Sequence, residues 1–153
     1  MQNQTIREYY DKTEDREVLF FLEQMHQEIL EKTLSQLSTE EDCILLRQQN
    51  VPRPIFRHCI MRLQDNPVLG VGFRGEMLSA LNEVDPSLIR EYAALILDVI
   101  GKGNILLKDI AKESEADAEA IGSILDSLSV KIHSKVAGFC RIPVKTDPIN
   151  ENE

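Results

Sequence analysis

Apolar residues return every three or four positions in one segment after another of this 153-residue chain, and the breaks between segments carry capping residues, prolines and glycines. That pattern admits a stack of helices and little else. Val18, Leu22, Met25 and Ile29 give one apolar face to a helix expected from residue 13 or 14 to about 37. Residues 18–22, with Phe20 and Phe21 among them, are apolar on every side, so this helix is covered twice over. The second cover is either the core of a monomer or another copy of the chain, with Phe20 and Phe21 in a homodimer interface. Ser38 followed by Glu41 spells a capping box, which opens a helix to about residue 49. Val51-Pro52-Arg53-Pro54 then makes a stiff elbow, because neither proline donates a backbone hydrogen bond and each disfavours a helical predecessor.

Beyond the elbow, Ile55, Cys59 and Leu63, flanked by Phe56 and Ile60, form the apolar stripe of a helix that Asn66-Pro67 stops. A short helix is expected over 76–83. Asp85-Pro86 starts a longer one to residue 100, with Leu88, Tyr92, Leu95 and Val99 inward and Gly101 and Gly103 as its stop. Residues 104–113 and 114–128 read as two more helices, with Ile110, Ile121, Ile124, Leu125 and Leu128 as their buried set. From Val130 and Ile132 to Phe139 the period changes to two, around an Ala137-Gly138 turn. Two helices and a hairpin in that order are a winged-helix-like arrangement. The expected fold is mainly α: a compact helical domain of six or seven helices with a C-terminal winged-helix-like helix-turn-helix and short β-hairpin. The expected divisions are a flexible N-terminus (1–12), a helical core (13–100), the winged-helix-like module packed on it (101–145) and a disordered tail (146–153).

Charge separates the uses of such a fold. The net charge of −9 is distributed as −7 over residues 1–42, +4 over 43–75, −7 over 76–128 and +1 over 129–153. Glu113, Glu115, Asp117, Glu119 and Asp126 crowd the second helix of the C-terminal module, where a nucleic-acid reader places cations. Carboxylates there repel phosphates, which disfavours nucleic acid and favours a protein partner with a basic surface. The partner-binding residues expected are Glu113, Glu115, Asp117 and Glu119, the arginine band Arg53, Arg57, Arg62 and Arg74, and Lys131 and Lys135 of the hairpin. The arginine band is either a docking surface or neutralised internally.

No chemistry-bearing constellation competes with that reading. Gly70, Gly72 and Gly75 match the G-x-G-x-x-G fingerprint, but the buried strand that must precede a pyrophosphate loop is missing from the pattern. The overlapping Gly72-Phe73-Arg74-Gly75-Glu76 resembles a G-F-R-G-E segment of MutL-type mismatch-repair ATPases. The resemblance is confined to that short stretch, and the α/β sheet of those enzymes has no counterpart in the pattern. His26, His58 and His133 stand on separate elements, and His58-Cys59 places the thiol on the apolar stripe, which makes it a buried inert group. No metal, cofactor or catalytic residue is therefore expected. Three scattered cysteines and no apolar run of roughly 18 residues point to a reduced, cytoplasmic setting without a membrane span.

The functional expectation is a non-enzymatic cytosolic adaptor or regulator that binds a protein through charged helical surfaces, such as an anti-activator of a transcription factor. The alternatives are a DNA-binding winged-helix regulator and a secretion chaperone or complex subunit.

Overall fold

A reciprocal cap opens the chain. Thr5 Oγ1 accepts the Glu8 amide at 3.3 Å while the Glu8 carboxylate accepts the Thr5 amide at 2.8 Å, and helix α1 (Ile6–Asp11) follows. Ile6 and Tyr10 of this helix are fully buried, and the Ile6 amide donates to Lys32 O at 2.9 Å. Burying those two side chains is worth about 1.5–3 kcal/mol each, enough to hold a six-residue helix that propensity alone would not. The computed structural model describes residues 4–13 and 15–134.

After α1 come α2 (Arg16–Met25), α3 (Gln27–Leu30), a 3-10 turn (Leu34–Gln36), α4 (Thr39–Leu46), α5 (Arg53–Asp65), α6 (Glu76–Asn82), α7 (Pro86–Glu91), α8 (Ala93–Glu113) and α9 (Glu115–His133). The mainly helical expectation holds, with nine α-helices among the described residues in place of six or seven. The helix expected over 13–37 is divided at His26, whose backbone turns out of the helical region (φ −144°, ψ 50°). Asp15 starts α2 by accepting the Val18 amide at 3.1 Å. Both cap signals read from sequence are in place: Ser38 and Glu41 form their box at α4, and Asp85 accepts the Ser87 amide at α7. The stripe of α5, Ile55, Phe56, Cys59, Ile60 and Leu63, is completely buried.

The C-terminal half departs most from expectation. Gly101 and Gly103 do not stop a helix, because α8 runs unbroken through both. Ser114 alone separates it from α9, taking an extended backbone and accepting the Asp117 amide at 3.2 Å. The two long helices fold back as an antiparallel hairpin with a notch at Gly103. A Cβ added there would lie 3.0 Å from the Leu125 side chain, whereas one at Gly122 would make ordinary contact, 3.6 Å from Leu107. Gly103 thus receives a leucine from the facing helix, which offsets its low helix propensity. Helix α8 runs across residue 101, where the core and the C-terminal module were expected to meet.

The winged-helix β-hairpin is likewise corrected. Residues 130–133 belong to α9, and no strand occurs among the described residues, whose one bridge joins Thr5 and Thr33. Val130 and Ile132 fit a period of two, but Leu125, Leu128 and Ile132 also fit one helical face, and packing selects the second. Lys131 fixes the choice by donating from Nζ to Asn82 O and Oδ1, at 2.5 and 2.8 Å, tying the end of α9 to α6. The return strand expected around Phe139 lies outside the described residues.

Candidate partner-binding surfaces

The arginine band is largely consumed inside the molecule. Arg53 at the start of α5 holds the Glu91 carboxylate of α7 through Nε at 2.5 Å and Nη2 at 2.9 Å, which keeps Glu91 below the usual carboxylate range. Arg62 reaches from α5 to Asp42 of α4, with Nη1 at 2.5 Å from Oδ2 and Nη2 donating to Thr39 Oγ1 at 3.0 Å. Asp42 is 0% exposed, so this pair fastens two helices from within. His58 Nε2 stands 3.6 Å from the other Asp42 oxygen, beyond hydrogen-bond reach. Arg74 lies between Glu113 (3.0 Å) and Asp117 (3.6 Å), at the turn of the α8–α9 hairpin. Arg57 stays exposed and has no carboxylate partner among the described residues. Cys59 is buried, as its place on the apolar stripe implied, and so is Cys43; burial pushes Cys43 up to about 11 and Cys59 well above its ordinary value.

The expected acidic surface therefore splits in two. Glu113 and Asp117 are spent on Arg74, whereas Glu115 and Glu119 stay exposed with no cation within salt-bridge distance among the described residues. Asp126, eleven positions after Glu115, falls on the same outward stripe of α9 and is equally free. Lys131 is an internal tie, and desolvation lowers its pKa. Lys135 lies outside the described residues. Phe20 (63% exposed) and Phe21 face outward on α2, with the Phe21 ring edge-on to His26 at 5.8 Å.

The glycine-rich loop between α5 and α6 has a use that pattern reading missed. Glu76 Oε1 accepts the amides of Val71 and Gly72 at 2.9 and 3.0 Å, which holds its carboxyl below the usual range. The donors a pyrophosphate would need are thus bound by the chain's own carboxylate, which disposes of the nucleotide fingerprint. Gly70 is required because a Cβ would lie 2.0 Å from Phe73 O, and Gly75 because its φ is 87°. At the tip, Val71 (67% exposed) and Phe73 (55% exposed) project into solvent. The signal was in the sequence: two large apolar residues set in a glycine loop whose only nearby periodicity is helical.

A broad groove of about 1320 Å³ runs between the α1–α2 turn, the elbow after α4 and the start of α7. Its floor includes Asn50, held at φ 57° and donating from Nδ2 to Asp15 Oδ2 at 3.0 Å. Its arginines are paired with neighbouring carboxylates, Arg47 with Glu83 and Arg53 with Glu91. Among the described residues no group of three His, Cys, Asp or Glu side chains is placed to hold a metal, and no helix is long and apolar enough to cross a membrane.

Among the described residues the domain is helical, pairs most of its arginine band with its own carboxylates and exposes several large hydrophobes. The comparison with known families is specific: residues 8–99, more than half of the chain, match the CDI immunity proteins. The chain belongs to that family, which points to a protein partner and agrees with a binding role. No curated protein and no solved structure matches it. The matched residues contain the arginine ties, the groove and the loop; α9 with its acidic stripe follows them.

Proposed function

We propose that this protein neutralises a toxin by binding it, with the acidic stripe of α9 guiding the encounter. The observation that carries the reading is the contrast between the two charge sets. Glu115, Glu119 and Asp126 are unpaired and share one outward stripe, while Arg53, Arg62 and Arg74 are committed to carboxylates of the same chain. A net −9 molecule that carries a row of unpaired acids along α9 attracts a basic surface and speeds association with it. Family membership supplies the kind of partner. DNA binding loses most of its support once Arg53, Arg62 and Arg74 are paired and only Arg57 of the band is left over, and a transcription factor or a secreted cargo has no observation behind it.

The test is binding of the purified cognate toxin domain over a series of salt concentrations, together with growth of cells that express the toxin with and without this chain. The chain protects the cells, and charge reversal of Glu115→Lys with Glu119→Lys slows association roughly tenfold at low salt and much less at high salt. Folding loses about 1 kcal/mol, chiefly because Glu115 opens α9 and a lysine there opposes the helix dipole, and the chain stays folded. Protection that is absent, or an association rate indifferent to both salt and reversal, refutes the proposal.

A further inference from the structure

We infer that the loop over residues 70–75 is the apolar anchor of the toxin interface, with Phe73 and Val71 inserting into a hydrophobic pocket of the toxin that has a basic rim. The inference rests on the toxin-neutralising reading and names the residues that make the contact. Large apolar side chains on a loop ordinarily fold back onto the protein. Here the backbone prevents it. The Gly75 amide donates to Val68 O at 3.0 Å, the Glu76 amide to Phe73 O at 3.2 Å and the Met77 amide to Leu69 O at 3.1 Å, while Glu76 Oε1 takes the amides of Val71 and Gly72 from below. Arg74, between the two exposed hydrophobes and α6, is drawn back onto Glu113 and Asp117, so its neighbour Phe73 points the other way, into solvent.

A loop tied at this many points loses little freedom when it docks, which is the condition under which an exposed aromatic contributes most to affinity. Electrostatics selects the occupant. Glu76, Glu113 and Asp117 stand at the base of the loop with Arg74, and Arg47, which also acts on Glu76, is paired with Glu83, so the surroundings of the anchor are net negative and complement a basic rim. Glu76 is a positioning residue: it touches no partner and sets the direction of the tip.

The experiment measures the affinity of the whole chain for the purified toxin domain by calorimetry, with light scattering and circular dichroism on the same samples. Phe73→Ala weakens binding about 30-fold or more and Val71→Ala about fivefold, both without loss of helicity. Phe20→Ala, which truncates an equally exposed aromatic on α2, leaves affinity within about twofold. Glu76→Ala weakens binding about tenfold, and Glu76→Gln restores most of it because the amide oxygen accepts the same two hydrogen bonds. A wild-type chain that does not bind the toxin overturns the function proposed above and this inference with it. Wild-type binding that Phe73→Ala leaves within twofold overturns the loop alone. So does a Phe73→Ala chain that loses self-association while keeping its toxin affinity, which assigns the loop to contact between copies.

Discussion

Replacing Arg62 by methionine separates a structural arginine from a docking one. Asp42 is fully buried and Arg62 is its close ionic partner, so the substitution leaves a carboxylate in the interior without its counter-charge. Breaking such a pair costs about 3–5 kcal/mol. The Arg62 side chain is itself 30% exposed, and water already screens part of the interaction, so the lower end, about 3 kcal/mol, applies. Methionine keeps the apolar stem of the arginine and its packing, which isolates the charge. For a domain of this size the loss lowers Tm by roughly 6–12 °C. Urea unfolding followed by circular dichroism measures it, with the m-value unchanged. The double substitution Asp42→Leu with Arg62→Met removes both charges and returns stability to within about 1 kcal/mol of the wild type. Toxin affinity of the folded variants stays within twofold. A cost below about 1 kcal/mol, or lost affinity at unchanged stability, returns Arg62 to the surface and refutes the internal tie.

The two glycines of α8 respond in opposite directions. Gly101 has open space at its Cβ, so Gly101→Ala stabilises by about 0.5–1 kcal/mol through helix propensity, whereas Gly103→Ala presses on the buried Leu125 and costs about 1 kcal/mol net, both read by urea unfolding. Glu76 gives an acid-side dependence of known sign. Its carboxyl sits below the usual range when folded, so its contribution is complete above about pH 4.3 and is lost as pH falls through the folded value. The stability gap between wild type and Glu76→Gln therefore narrows between pH 5 and 3, and a gap that widens refutes the capped loop.

Local signals were legible where neighbours in sequence decide the outcome. Ser38 with Glu41, Asp85 with Pro86, the Pro52 elbow and the α5 stripe all act within four residues, and each is in the structure as read. Charge was legible as a total and only half legible as a surface. Glu115 and Glu119 stand free, but Glu113 and Asp117 share the guanidinium of Arg74, some forty residues earlier, and no spacing rule reaches that far.

By itself the sequence determined that this chain is helical, where several of its helices begin, and that its excess of acid suits a polypeptide partner. The tertiary structure decided how the ambiguous stretches resolve. Gly101 and Gly103 read as a helix stop, and the arrival of Leu125 makes Gly103 a place of close packing inside a continuous helix. Val130 and Ile132 read equally as strand or helix, and the tie from Lys131 to Asn82 with the burial of Leu128 makes them helix. In each case the local preferences differ by about a kilocalorie or less, while a buried leucine is worth about 1.5–3 kcal/mol, so the contact between distant segments prevails.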